Sequence, residues 1–273
     1  MSGTTTEAKG FTIPLIGLGT WMLRGRECAR LVEQAIRIGY RHIDTAQMYD
    51  NERDVGDGVR ASGKRSDVIV TTKVQPSSLA PHDLERSVKE SLARLRLDHI
   101  DLLLIHWPNP RVPLSETLGA MAKMKRAGYA RALGVSNFTV ALLDEANRVS
   151  PEPLVCNQIE CHPFLDQHNV IEACRRHDMA VVAYSPIARG GAKGDEVLQR
   201  IGKAHGKTAA QISLRYLVQQ GIAAIPRTSK IERLEENASV FDFALSEVEM
   251  TEIAGLARRS GRIVDWSWSP NWD

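Results

Sequence analysis

One pattern recurs along the whole chain: a short apolar run with β-branched residues, a turn, then about ten to fifteen residues with apolar positions at helical spacing. The apolar runs are Ile16 to Gly19, His42 to Asp44, Val68 to Lys73, Ile100 to His106, Ala130 to Ser136, Cys156 to Glu160, Met179 to Tyr184 and Ile222 to Pro226. The helical patterns that follow the first six cover Glu27 to Ile38, Glu52 to Ala61, Leu84 to Leu95, Leu114 to Ala127, Val140 to Val149 and Val170 to His177. Two stretches follow the seventh, Glu196 to Ala204 and Thr208 to Gln219, and Ile231 to Val240 follows the eighth. A last amphipathic stretch, Ser246 to Ala257, precedes a tryptophan-rich tail. In the fourth run Leu102 to Ile105 are all apolar, as in a strand buried on both faces. Eight strand–helix units predict an α/β fold, a closed (β/α)8 barrel forming a single domain over residues 1–273.

Other α/β readings fare worse. A doubly wound sheet would carry a Gly-rich turn after its first strand, but Gly17-Leu18-Gly19 runs on into Thr20-Trp21-Met22 and lacks the third glycine. Gly202 to Thr208 resembles a phosphate-binding loop, yet it is one residue short and sits between two helices. The balance of 35 Lys+Arg against 33 Asp+Glu argues against a nucleic-acid or membrane-surface partner. No apolar run is long enough to span a bilayer, and Met1 to Glu7 lacks the apolar core of a signal peptide. The four cysteines, Cys28, Cys156, Cys161 and Cys174, are sparse and form no C-x-x-C pair, which favours a reducing cytoplasm. Cys156, Cys161 and His162 lie close together, but C-x4-C-H is not a usual zinc spacing, so no metal is expected.

A barrel builds its active site at the C-terminal ends of its strands. Read in order, those ends supply Asp44, Lys73, His106, Asn137, Gln158, Tyr184 and Arg227, with Tyr49 five residues past Asp44. Any one of these has a plain explanation as a turn or cap residue, but a ring of seven does not. A tyrosine titrates at about pH 10 in water and is a poor acid at neutrality. An ammonium about 4 Å away would favour the phenolate by roughly 4 kcal/mol at an effective dielectric of about 20, or about three pKa units. Lys73 is therefore expected to bring Tyr49 toward a working pH, with Asp44 keeping the lysine charged. His106 could donate a hydrogen bond to a substrate oxygen. Such a set suits protonation of an oxygen on which negative charge develops, as in carbonyl reduction.

The stretch from Gly39 to Ala46, with Tyr49 and Asn51-Glu52, resembles the first signature of the aldo-keto reductases. Thr72-Lys73, Leu104 to Pro108, Gly134 to Phe138, Gln158 to Pro163, Ala183 to Pro186 and Ile225 to Arg227 are similar to later motifs of that family, in the family's order. The loops and the ending Pro270-Asn271-Trp272-Asp273 most resemble its bacterial 2,5-diketo-D-gluconate and methylglyoxal reductase branch. The resemblance implies a (β/α)8 barrel with an N-terminal β-hairpin, two extra helices and a C-terminal loop. It also implies NADPH-dependent reduction of aldehydes and ketones, with a small carbonyl compound as substrate and a monomer as the family's usual state.

By that resemblance Tyr49 is the general acid, Lys73 and Asp44 tune it, and His106 orients the carbonyl. The nicotinamide would stack on Tyr184, its carboxamide held by Ser136, Asn137 and Gln158. The pyrophosphate would lie along Ser185, Pro186, Ile187 and Arg189, with Thr20, Trp21, Asp44, Ile225 and Pro226 completing the groove. Arg227, Thr228, Ser229 and Arg233 match the 2′-phosphate site, and Glu236 and Asn237 the adenine contacts. The chain has Arg227 where lysine is commoner in the family, which keeps the charge. Guanidinium groups pair phosphate oxygens bidentately, so this cluster favours NADP over NAD, the alternative being a solvated basic turn.

Trp21, Met48, Tyr49, His106 and Trp107 would bind the substrate in a largely apolar site. Trp266, Trp268 and Trp272 crowd the last eight residues, more aromatic surface than a free tail would hold against water. The tail either folds over the barrel mouth and helps select substrate or packs on the outer helices. Two rivals use the same residues differently. One is a Schiff-base lyase with Lys73 as nucleophile, which a neighbouring Asp44 would oppose by keeping the lysine protonated. The other is a non-enzymatic NADPH-binding sensor, which would have no use for the four catalytic residues. A metal-dependent hydrolase lacks its H-x-H in the first strand.

Overall fold

The computed structural model describes residues 4–273; Met1 to Gly3, the start of the N-terminal stretch read above, lie outside the described residues. The chain opens with an antiparallel hairpin of β1 (Thr5–Ala8) and β2 (Phe11–Pro14), which buries Ala8 and Ile13. Eight parallel strands follow: β3 (Leu18–Gly19), β4 (His42–Asp44), β5 (Ile69–Val74), β6 (Ile100–Ile105), β7 (Ala130–Ser136), β8 (Leu154–Glu160), β9 (Ala180–Tyr184) and β10 (Ala223–Ala224). Each pairs with its neighbours in chain order, and bridges Ile16–Ala224 and Gly19–Arg227 join the first to the last. The sheet therefore closes into the predicted (β/α)8 barrel.

The seam explains why the two outermost predicted strands are short. Gly17 N donates to Ala224 O at 2.9 Å and Gly19 N to Pro226 O at 3.2 Å, so pairing across the seam is carried by a few bonds. Pro226 has no N–H to extend the ladder. A Cβ at Gly19 would stand 2.6 Å from the Ile225 carbonyl oxygen, so glycine lets the backbones meet.

The helices are α1 (Gly25–Ile38), α2 (Glu52–Ala61), α3 (Pro81–Leu95), α4 (Leu114–Arg126), α5 (Val140–Val149), α6 (His168–Arg176), α7 (Glu196–His205), α8 (Ala209–Gln219), α9 (Ile231–Ala238) and α10 (Glu247–Ala254). Most connect successive strands and bury one apolar stripe against the sheet. The additional α7 and α10 share a second small core with α8, made of Leu198, Ile201, Ile212, Leu245 and Ile253. Gly202 to Thr208, the near miss of a phosphate loop, is a helix junction. Gly206 caps α7, and Thr208 caps α8 reciprocally with Gln211. Among the described residues no helix is long and apolar enough to cross a membrane.

The packing of α2 against the C-terminal end of α3 depends on Gly56. A Cβ there would lie 1.9 Å from the Leu95 carbonyl oxygen, which also accepts from Arg60 Nη1 at 2.9 Å. Gly56→Ala should therefore destabilise the fold by about 1–3 kcal/mol despite its better helix propensity. A lowered urea midpoint would bear this out, and an unchanged or raised one would refute it.

Candidate active site

Tyr49 sits on a short 3-10 turn (Gln47–Tyr49) that ends at Asp50, whose φ of 54° reverses the chain into α2. Side chains around it hold that turn. Gln47 Nε2 donates to Ser87 O (3.2 Å) and Ser91 Oγ (3.0 Å), and its Oε1 accepts from Gln75 N at 3.0 Å. Asn51 Nδ2 donates to Thr20 O (2.8 Å) and Leu23 O (2.9 Å), tying the loop after β3 to the loop after β4. Glu52, at the start of α2, accepts from Thr72 Oγ1 and Arg94 Nε, both at 2.6 Å, and so fastens α2 to the strand that carries Lys73.

The centre of the site is a buried ion pair. Lys73 has no exposed surface, and its Nζ donates to Asp44 Oδ1 at 2.6 Å, Thr45 O at 2.8 Å and Tyr49 Oη at 3.3 Å. Asp44 Oδ2 accepts from Gln158 Nε2 at 2.8 Å, so both carboxylate oxygens are committed. Burial acts to discharge Lys73, but Asp44 and Tyr49 outweigh it and hold the ammonium above its ordinary pKa. Tyr49 departs from the expectation set by its lysine. Burial raises the phenol, and although Lys73 pulls it down, the balance stays above the ordinary value. The phenol is therefore firmly protonated at neutral pH.

His106 follows the end of β6, with its ring edge-on to Tyr49 at 5.5 Å between centroids. Burial and the nearby Lys73 hold it well below the ordinary histidine pKa, so the imidazole is neutral. Its backbone oxygen accepts from Asn137 Nδ2 at 3.0 Å, and Asn137 Oδ1 accepts from Tyr184 Oη at 2.8 Å. Asn137 holds these bonds from a left-handed backbone (φ 62°) that asparagine tolerates.

These strand ends surround a cavity of about 760 Å³. Asp44, Tyr49, His106, Asn137, Gln158, Tyr184 and Arg227 line it, whereas Lys73 does not line it and meets it through its bonds to Asp44 and Tyr49. Its lining also includes Thr20, Trp21, Ser136, Ser185, Pro186, Ile187 and Ile225, and four basic side chains, Arg189, Lys193, Arg227 and Arg233. The Arg189 guanidinium lies 4.7 Å from the centre of the Trp21 ring, and Arg24 pairs with Asp50 at 3.3 Å.

Five residues that the sequence assigned to the groove do not line it. Pro226 is buried at the seam, and Ser229 faces solvent. Thr228 turns its hydroxyl onto Lys230, accepting from the backbone N at 3.0 Å. Glu236 accepts from Thr208 Oγ1 at 2.6 Å, and Asn237 is buried within α9. Lys193, by contrast, was not singled out in the sequence, where nothing separates it from other surface lysines.

Part of the lining is aromatic. Trp21, Met48 and Trp107 are joined there by Val264, Trp266 and Trp268 of the tail, which lies across the mouth, while its last residue, Asp273, reaches the start of α5. Trp107 meets Trp268 edge-on at 5.1 Å and Trp272 at 6.0 Å, while Trp266 and Trp268 lie parallel at 6.3 Å. Glu160, at the end of β8, holds the start of the tail. Its Oε1 accepts from Ile263 N at 2.7 Å and its Oε2 from Val264 N at 2.8 Å. His162 Nε2 lies 3.0 Å from the same carboxylate, and the four cysteines are buried and free. Burial opposes ionisation of Glu160, but His162 and the two backbone donors hold its pKa below the usual value.

Comparison with known proteins gives this constellation a family. Residues 15–258 match the sequence profile of the Aldo/keto reductase family. The chain belongs to the aldo/keto reductases. This aldo/keto reductase is 36% identical over 266 residues to the methylglyoxal reductase DkgB of Yersinia pestis, covering 96% of the chain and 100% of that protein. It is 38% identical over 258 residues to the glyoxal reductase of Bacillus subtilis (strain 168), covering 94% and 93%. A solved structure described as a 2,5-diketo-D-gluconic acid reductase B superposes with a TM-score of 0.96 at 43% identity, over 99% of each chain. The chain is thus an oxidoreductase among carbonyl-reducing relatives.

Proposed function

We propose that this aldo/keto reductase reduces aldehydes and ketones to alcohols with NADPH, in the cytoplasm, and that Tyr49 is its general acid. The observation that carries the reading is the chain of contacts from Asp44 through Lys73 to Tyr49, which ends at the cavity where a carbonyl oxygen would sit. The cavity fits a nicotinamide dinucleotide. It is lined by Asn137, Gln158 and the Tyr184 ring and carries four cationic side chains. When bound, the reduced nicotinamide supplies the hydride that the carbonyl carbon accepts.

The chain's own residues handle the oxygen. Tyr49 gives its proton to that oxygen as charge develops there, and Lys73 stabilises the phenolate left behind. Asp44, fixed by Gln158, keeps Lys73 charged. The neutral His106 donates a hydrogen bond to the same oxygen and selects its orientation. An ammonium engaged by Asp44, Thr45 and Tyr49 is unfit as a Schiff-base nucleophile, which disfavours the lyase reading. Four buried free thiols accord with a reducing compartment.

Oxidation of NADPH, followed with methylglyoxal, a benzaldehyde and a diketone sugar acid and with NADH alongside, tests the reading. Turnover with NADPH is expected. Tight NADPH binding without turnover on any carbonyl would move the case to the sensor, and no NADPH binding would refute the cofactor assignment. Arg233→Ala should raise the KM for NADPH about tenfold or more, as befits a lost hydrogen bond to a charged group. NADH kinetics should stay unchanged. Equal effects on the two cofactors would show that Arg233 does not meet the 2′-phosphate.

A further inference from the structure

Glu160 is the most deeply buried carboxylate near the cavity that the proposed chemistry does not use: it is 0% exposed. Burying a charge is costly unless it is paired and hydrogen-bonded, so the donors that meet it show what it is for. Apart from His162, those donors are the backbone N–H groups of Ile263 and Val264, about a hundred residues further along the chain. On its own strand the carboxylate holds no partner, although Gln167 Nε2 binds the Glu160 backbone oxygen at 2.8 Å and steadies the loop that follows. The strand position matters equally. Glu160 stands opposite Tyr184 in the β8–β9 ladder and two residues beyond Gln158.

The tail needs such a fastening. Upstream it is tied to the same loop, where Arg258 N donates to Phe164 O at 3.0 Å and Asp166 N to Arg258 O at 3.2 Å. Beyond Val264 its side chains change role and become the aromatic wall of Trp266 and Trp268, both about half exposed. Few bonds hold that wall besides Trp272 Nε1 to Asp265 Oδ1 at 3.0 Å and the terminal Asp273 to Val140 N at 2.9 Å. The clamp at Glu160 therefore fixes where the tail leaves the barrel, and the Trp107 contacts complete the placing of the wall.

We propose that Glu160 is a positioning residue that sets substrate specificity, by clamping Ile263 and Val264 so that Trp266 and Trp268 stand as a wall for large aromatic carbonyls. The role rests on the reading of this cavity as a carbonyl-reducing site. A small substrate such as methylglyoxal, held at Tyr49 and His106, does not reach the wall and does not depend on the clamp.

Glu160→Gln keeps the size but leaves a single acceptor oxygen for two N–H donors. Ile263→Pro removes one donor and leaves Glu160 intact; the preceding Arg262 already has φ −64° and ψ 133°, which a following proline accepts. Each variant should raise the KM for a naphthaldehyde about tenfold, the effect of losing a hydrogen bond to a charged group. For each, kcat and the KM for methylglyoxal should stay within about twofold. The double variant should do no worse than either single, since both cut the same link. Ile263→Ala, which keeps the N–H, should behave as the unaltered chain. Trypsin cleavage after Arg258 and Arg259 should accelerate in Glu160→Gln and Ile263→Pro, and after Arg262 in Glu160→Gln, where no proline follows; this readout needs no activity. A KM that rises equally for both substrates, additive effects in the double variant, or tail sites as protected as before would overturn the proposal. If Glu160→Gln does not fold, Ile263→Pro carries the same test alone. An unaltered chain that turns over no carbonyl would sink the enzymatic reading instead, and proteolysis would still decide the clamp.

Discussion

Tyr49→Phe should lower the turnover of carbonyl substrates by about 10²–10⁴-fold, the range that a positioned acid contributes, while NADPH binding stays within about twofold. The substitution removes one oxygen and leaves the ring, so its edge-on contact with His106 survives. What disappears is the only proton that Lys73 can back, across 3.3 Å. The pH dependence follows from the directions of the two shifts. Burial holds the Tyr49 phenol above its ordinary value, so the acid form required for reduction is fully present at neutral pH and is lost only as pH rises through that elevated pKa. His106 is held well below its ordinary value, so its neutral form is lost only when pH falls far into the acid range. Reduction should therefore be level between about pH 6 and 8, whereas alcohol oxidation, which needs the phenolate, should rise with pH toward the alkaline limb. Turnover that survives in Tyr49→Phe, or a reduction rate that climbs through neutrality, would remove Tyr49 from the role of acid.

The fold was legible because its signals are local. Each strand–helix unit declares itself by a change of hydrophobic period, and β4, β7, α2 and α5 lie where the sequence puts them to the residue. The polar residues at the strand ends were legible for the same reason, since barrel geometry turns an end in sequence into a place at the mouth. What the sequence hides is long-range. Nothing around Gln47 announces that its amide will bind Ser87 and Ser91 on α3, nor does Glu160 announce Ile263 and Val264. The three tryptophans of the tail signalled burial without saying against what, because aromatic surface is satisfied equally by a barrel mouth or an outer helix. The Tyr49 pKa went astray on a related point. The sequence supplies the neighbouring charge, but the desolvation that outweighs it depends on how deeply the tertiary fold sets the ring.

The second large effect separates stability from chemistry at the same ion pair. Lys73→Met should cost about 3–5 kcal/mol of folding stability, because it leaves Asp44, 1% exposed, as an uncompensated buried charge with Gln158 as its remaining side-chain donor. The folded state raises the Lys73 pKa, so the lysine's contribution is fully present below its unfolded value of about 10.4 and is lost as pH rises through the folded one. The loss on substitution should therefore be constant through neutral pH. Adding Asp44→Asn removes the stranded carboxylate, and the double variant should recover most of the urea midpoint, since replacing both members of a buried pair is far milder than removing one. Its turnover should not recover, because nothing then stabilises the Tyr49 phenolate. A double variant as unstable as Lys73→Met would mean that the lysine is held for its packing and not for its charge. A double variant that regained turnover would mean that Tyr49 releases its proton without help from the ammonium beneath it.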